Sequence, residues 1–496
     1  MQRLTIYFGL LYLCLIALSW PAHLQSGDNQ KSIATAEAIV NEGTLLIDDK
    51  YQAKVGSRPH VDIEGKTYSR FGIGLAIIYI PVAFVLKLLS SLGATDTIRH
   101  VLFSAIPVAF GITNCGFVYL AAKELGGNRA KATIIAFISS VYTLSFRYTV
   151  HDHSEIIQAC FFMGALMLLL KQRQVFQLPA FCLLSATVLI KDYNIAIVGL
   201  YGLFAIYLAH QRKYAFKRSF ANMGAPVAIA VAIILILNYV RYGGILTSGY
   251  GNEVFGFSID YFKRDYWKLL FSFEMGVFTF NPILLISVVG LIIGLKNRNY
   301  AMLLILCSFG FLWLLSAFFY APKGAWSLGP RYIVPILPLL SLGLVFLNFK
   351  KRSVTIALIV LLTPAAILSP IYVLQKTQEY DVIRFNLAED APALPAQING
   401  LSKILRLKVT GHHQIYPASA FTRNDSTEVY NLEGFETYQF VNTWYSHLAT
   451  RQKLPIRLPL LCLHLALFML AYISVIIALI RFPSIESPSS QRPEPQ

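Results

Sequence analysis

Residues 72–92 read GIGLAIIYIPVAFVLKLLSSL. Whether this stretch crosses a membrane decides which side every later polar segment lies on. It is apolar enough to cross, since roughly 20 apolar residues span about 30 Å of hydrocarbon. It also carries Gly72, Gly74, Pro81 and Lys87 and follows a polar loop, as a helix lying along the interface or re-entering it does.

The chain around it is apolar throughout: of 496 residues, 56% are hydrophobic and 14% charged. No water-soluble fold buries that fraction, and repeated membrane spans account for it. Further apolar runs fall near 4–21, 101–121, 131–147, 156–170, 176–190, 194–209, 223–240, 279–295, 300–320, 332–348, 353–373 and 457–480. The first lacks a small-residue cleavage site before His23 and reads as a retained span rather than a signal peptide.

If 72–92 crosses as well, the basic clusters Lys123/Arg129/Lys131, Lys171/Arg173, Arg212/Lys213/Lys217/Arg218, Lys296/Arg298 and Lys350/Lys351/Arg352 all face outward. That contradicts the cytoplasmic bias of lysine and arginine in short loops. With 72–92 kept out of the count, all of them turn cytoplasmic together with both termini. The expected fold is therefore an all-α polytopic membrane protein, a bundle of about 12 transmembrane helices.

The net charge of +16 comes from these short clusters, so it marks membrane orientation and not a nucleic-acid partner. All six cysteines lie in apolar runs without a metal or disulfide spacing. No internal repeat of the kind that builds transporters is visible.

Four polar segments fall outside: 22–71, 241–279, 321–331 and 374–456, with short turns at 148–155 and 191–193. The tail 482–496, rich in Pro and Ser, is expected to be disordered and cytoplasmic. Residues 457–481 form the last span. Compact loops and the lack of a retention signal point to a bacterial inner membrane.

Chemistry must come from the outer segments. Asp28 follows the first span directly; a partly desolvated carboxylate there is either a general base or the cap of the next helix. The turn Tyr148-Thr149-Val150-His151-Asp152-His153-Ser154-Glu155 crowds four ionisable groups at a span entrance. Its acids can favour a helix N-terminus, orient sugar hydroxyls, or hold a divalent cation such as Mg or Mn with the histidines. Lys66, Arg70, Lys191 and Arg331 are the basic residues of this face that suit a phosphate. Lys191 and Asp192 can instead pair with each other or snorkel.

Taken in order, several segments resemble the GT-C superfamily of polyprenyl-phosphate-sugar glycosyltransferases, in its family 39-like branch of protein O-mannosyltransferases and aminoarabinose transferases. They are Ser26-Gly27-Asp28, Glu64-Gly65-Lys66-Thr67-Tyr68-Ser69-Arg70-Phe71-Gly72-Ile73-Gly74 leading to Pro81, and His153-Ser154-Glu155. Asn238-Tyr239-Val240-Arg241-Tyr242-Gly243 follows, with Ser248-Gly249-Tyr250, Leu270-Phe271-Ser272, Gly276 and Asn281-Pro282. Gly329-Pro330-Arg331-Tyr332, with Pro335 and Pro338, completes the series. Arg70 and Ile73 stand where many relatives show Lys and Pro.

The resemblance implies a transmembrane catalytic module over 1–373 whose first outer loop, 22–100, carries juxtamembrane helices. It implies an inverting transfer from a polyprenyl-phosphate-linked sugar to a lipid, glycan or protein acceptor, with no obligatory cofactor or metal. Asp28 takes the place of the base. Arg70 and Arg331, with Lys66 and Lys191, take that of the phosphate-binding cations, and Asp152 or Glu155, beside His153, that of the second acid. The 374–456 segment matches nothing in the family and is the expected seat of acceptor specificity. Two rivals share the cationic outer face: a flippase for a lipid-linked saccharide, and an oligosaccharide or O-antigen ligase of the same superfamily.

Overall fold

The computed structural model describes residues 2–21, 27–47, 60–63, 66–90, 96–151, 154–250, 256–324, 327–374 and 457–481. Helix α1 (Gln2–Ser19) leads to α2 (Gly27–Glu42), and a two-stranded antiparallel ribbon, β1 (His60–Ile63) and β2 (Lys66–Ser69), precedes α3 (Ile73–Ser90) and α4 (Asp96–Glu124). Next come α5 (Arg129–Val141), α6 (Leu144–Val150), α7 (Ser154–Leu170), α8 (Gln177–Ile190), α9 (Asn194–Gln211) and α10 (Phe216–Tyr242). The second half holds the short α11 (Ile259–Asp265), α12 (Lys268–Phe271) and α13 (Val277–Phe280), then α14 (Ile283–Lys296) and α15 (Ala301–Phe318). A broken segment sets α16 (Leu337–Ser341) between 3₁₀ turns at Arg331–Ile336 and Leu342–Phe346, before α17 (Arg352–Leu374) and α18 (Arg457–Arg481).

The protein is a polytopic, integral membrane protein, and among the described residues its regular structure is helical apart from the ribbon. Among the described residues, eight helices are long and apolar enough to cross a membrane: α1, α3, α4, α9, α10, α15, α17 and α18. Every one of the twelve runs counted as crossings carries helix, but α5, α7, α8, α14 and the broken segment are shorter. Each of these shorter pieces is packed among other helices, with α5 and α7 almost wholly buried. The broken segment is likewise buried from Ile333 through Val345, which lets its irregular backbone exist where lipid does not reach it.

Segment 72–92, kept out of the count on charge grounds, forms α3, which by length and apolarity alone can cross. Its main packing partner is the polar first-loop helix α2, and Lys87 Nζ donates to the Val40 carbonyl of α2 at 2.7 Å. Arg99, in α4, closes the other side of α2 with a two-pronged bond to Glu37 at 2.6 and 2.9 Å. The ribbon pairs His60 with Ser69 and Ile63 with Lys66, and Ile47 N donates to Thr67 O at 2.9 Å, so the end of β2 is tied to the segment following α2. After Leu374, the expected outer segment 374–456 lies outside the described residues, as does the tail 482–496.

One residue of the basic clusters does more than set orientation. Lys131 is buried and donates to the carbonyls of Val345 (2.6 Å) and Leu347 (2.7 Å), so it caps the broken segment's last turn, with its ammonium 4.8 Å from the Phe349 ring centre. Lys131→Met leaves both carbonyls without that donor. It is expected to destabilise the protein by about 1–3 kcal/mol, read as a lower apparent Tm in detergent, whereas Lys350→Met on the exposed neighbouring turn leaves Tm unchanged.

Candidate functional site

The ends of three segments meet around one guanidinium. Arg331 opens the 3₁₀ turn after Gly329-Pro330, and its backbone N–H returns to the Gly329 carbonyl at 3.1 Å. Its Nε donates to Glu155 Oε1 at 2.6 Å and its Nη2 to Asp28 Oδ2 at 2.7 Å. Asp28 lies in the first turn of α2 and Glu155 in the first turn of α7, where helix dipoles favour a negative charge. Glu155 is fully buried; the Asp28 side chain keeps 24% of its surface exposed, so of the two carboxylates it is the one that faces outward.

A second cation approaches from α8. That helix ends at Ile190, and Lys191 follows as its C-cap, with its N–H on Thr187 O; a positive charge is favoured at this pole. Its Nζ lies 3.8 Å from Asp28 Oδ2 and 5.2 Å from the Phe71 ring centre. Lys191 thus pairs with Asp28 rather than with its neighbour Asp192, which is exposed.

Glycines explain how the third cation comes close. A Cβ at Gly72 would lie 2.7 Å from the Ile190 carbonyl oxygen, and one at Gly74 would lie 2.7 Å from the Leu189 carbonyl carbon. Without side chains there, the turn between β2 and α3 presses onto the end of α8 and brings Arg70-Phe71 beside Lys191. The Arg70 guanidinium carbon sits 5.5 Å from the Phe71 ring centre and 5.4 Å from that of Tyr250, and its charge reaches Asp28. Tyr193 and Tyr332 add an edge-to-face pair at 6.1 Å, and among the described residues the buried Tyr193 hydroxyl has no hydrogen-bond partner.

Two carboxylates therefore face three cations, leaving one surplus positive charge in a partly desolvated setting. Burial opposes ionisation of Asp28, but Arg331, then Lys191, then Arg70 outweigh it and hold its carboxyl below the usual carboxylate range. Burial likewise opposes protonation of Lys191, and Tyr250 and Asp28 overcome it, so the ammonium is held above its ordinary value.

Of the residues singled out from sequence, the structure brings Asp28, Glu155, Arg331, Lys191 and Arg70 together. Lys66, at the start of β2, is exposed, and among the described residues it makes no contact with the cluster. Asp152 and His153 lie outside the described residues. His151 turns away: its Nε2–H donates to Val373 O at 3.0 Å at the end of α17, where Arg147 also donates to Tyr372 O. Among the described residues, no three His, Cys, Asp or Glu side chains gather as metal ligands, and the two acids share a guanidinium instead. Sequence reading assigned no role to Arg241, Tyr242, Tyr250 or Tyr193. Arg241, Tyr242 and Tyr250 stood in the motifs that carry the resemblance, without a role of their own.

Among solved structures, the chain is similar to ArnT from Cupriavidus metallidurans bound to undecaprenyl phosphate, at 14% identity and a TM-score of 0.48, over 97% of this chain and 77% of that one. It is also similar to the oligosaccharyltransferase AglB from Archaeoglobus fulgidus in complex with an inhibitory peptide and a dolichol-phosphate. There the identity is 13% and the TM-score 0.47, over 86% of this chain and 60% of AglB. No family model and no curated protein matches the chain.

Arg331→Leu strands a buried and a partly buried carboxylate and is expected to cost about 3–5 kcal/mol, measured as a fall in apparent Tm. Adding Glu155→Gln to Arg331→Leu should recover part of that loss. If the double variant is no more stable than Arg331→Leu, the two acids are not coupled through Arg331.

Proposed function

We propose that the chain is a membrane glycosyltransferase of the GT-C type, moving a sugar from a polyprenyl-phosphate donor to an acceptor hydroxyl on the extracytoplasmic face, with inversion. The observation that carries this reading is the surplus cation in the cluster: Asp28 and Glu155 against Arg331, Lys191 and Arg70. A cluster built this way is completed by an anion, and the ordered resemblance along the chain makes that anion the donor phosphate. The acceptor is a lipid, a glycan or a protein.

In this mechanism Lys191 and Arg70 hold the phosphate, while Arg331 spends Nε and Nη2 on the acids and adds its charge to the field. Asp28 removes the proton of the acceptor hydroxyl, whose oxygen attacks the anomeric carbon from the opposite side. The bond from that carbon to the phosphate oxygen breaks, and polyprenyl phosphate leaves with the electron pair. Fixed cations matched to the leaving phosphate lower the barrier without reorganising at the moment of transfer. No step requires a metal. Between Asp152 and Glu155, the contact with Arg331 favours Glu155 as the second acid, holding Arg331 in place and not exchanging protons itself. The chain would work in a bacterial inner membrane with both termini cytoplasmic.

A carboxylate paired with two cations is a weak base, and an arriving phosphate corrects this by drawing on Lys191 and Arg70. The pH profiles should show it. Because the free-enzyme pKa of Asp28 is depressed, the acidic limb of kcat/KM for the donor lies below about 4. In the donor complex the added negative charge raises it, so the acidic limb of kcat sits at higher pH. Coincident limbs would remove the phosphate from the neighbourhood of Asp28.

The direct test supplies purified protein in nanodiscs with a panel of radiolabelled polyprenyl-phosphate sugars and membrane acceptors. Transfer from at least one donor is expected, and Asp28→Asn should lower kcat by about 10²–10⁴-fold while donor binding persists. Binding without transfer from any donor would favour transport of the lipid-linked sugar over its transfer.

A further inference from the structure

We infer that Arg241 and Tyr242, at the outer end of α10, are positioning residues that set the conformation of Arg70 and thereby the phosphate-binding strength of the site; this rests on the role proposed above for Arg70. Helix α10 exposes apolar side chains along most of its length, and at its end Asn238, Arg241 and Tyr242 turn inward. Arg241 is 7% exposed, and a guanidinium so buried needs acceptors. It takes two carbonyls, Phe71 O at 3.0 Å and Ser69 O at 3.3 Å, the residues on either side of Arg70. Tyr242 Oη donates to the same Ser69 carbonyl at 2.8 Å.

The Ser69 carbonyl belongs to the peptide plane that enters Arg70 and the Phe71 carbonyl to the plane one residue further on, so the bonds pin the chain before and after Arg70 and so restrict the direction of its side chain. A third contact closes the remaining side. Gly249 lies so close that a Cβ there would be 2.6 Å from the Arg70 Cα and 2.6 Å from the Tyr242 hydroxyl. Its neighbour Tyr250 offers its ring to the Arg70 guanidinium. Arg241 is also within electrostatic reach of Asp192, which adjoins Lys191, so one guanidinium ties together the turns that carry two of the three cations. Nη1 serves both carbonyls while Nε–H returns to Leu237 O of its own helix at 3.4 Å, a bond that a lysine lacks, so lysine is a partial substitute at best.

The experiment is a double-mutant cycle on the full chain in nanodiscs, with farnesyl phosphate as the probe and its Kd as the readout. Arg241→Gln should weaken binding by about tenfold, the equivalent of one charge-assisted hydrogen bond. Arg70→Gln should weaken it too, and Arg70→Gln/Arg241→Gln no further than Arg70→Gln alone. Arg241→Lys should restore part of the loss. Tyr242→Phe, which removes a single hydrogen bond and no charge, keeps the test open should Arg241→Gln fold poorly; it is expected to weaken binding severalfold and speed amide exchange over residues 68–72. If Arg70→Gln weakens binding while Arg241→Gln and Tyr242→Phe do not, or if the effects add, the positioning role is wrong and the phosphate reading stands. If Arg70→Gln leaves Kd unchanged, the phosphate role of Arg70 fails and takes this inference with it.

Discussion

A single guanidinium, that of Arg331, holds one end of this protein together. Its partners lie 303 and 176 residues away in sequence, so the two bonds it makes join the first outer loop, the start of α7 and the entrance of the broken segment. Desolvating an ion costs several kcal/mol, and a buried carboxylate such as Glu155 is tolerable only with a matched partner in place. The three segments therefore cannot separate without exposing or orphaning charge. That constraint, together with the burial of Ile33 and Ala36 of α2 in the core, fixes where Asp28 sits.

The other cations are placed by backbone and not by side-chain packing. Lys191 is set by where α8 stops, and Arg70 by a turn that can approach only because Gly72 and Gly74 lack side chains. The clamp from α10 then holds the carbonyls on both sides of that turn. The chain thus builds an electrostatic site from helix ends and loops on one face while leaving its long helices nearly free of charge. An ionisable group in mid-span would face a low dielectric without such partners.

Much of this was legible in the sequence. Length and apolarity located the helices, and the distribution of lysine and arginine put Asp28, Arg70, Glu155 and Arg331 on one side. The spans themselves were less regular than a count of apolar runs implies, since α5, α7 and α8 fall short of a full crossing and are shielded by their neighbours. Residue 131 was read as a topology charge and instead caps a buried turn. Arg331 was read as a phosphate fork, and its pairing with two acids far away in sequence has no local signature. Arg241 stood in a quoted motif at a helix end without a role, because its acceptors are backbone carbonyls, which no residue pattern announces. The ribbon that delivers Arg70 was missed for a similar reason: its two four-residue strands are too short to show an alternating pattern.

The division of labour among the cations follows from their chemistry. At the centre, where two acids must be held at fixed angles, the structure uses arginine, whose planar fork stays charged whatever its surroundings and can serve two acceptors in different directions. At the rim it uses lysine, a compact charge on a flexible stem, supported by the C-terminal pole of α8 and by the face of Phe71. Exchanging them would fail on both counts. A lysine at 331 could not keep Asp28 and Glu155 apart at set distances, and an arginine at 191 would compete with Arg331 for the same carboxylate oxygen. The arrangement holds the central charges rigid and leaves the adaptable one beside Asp28.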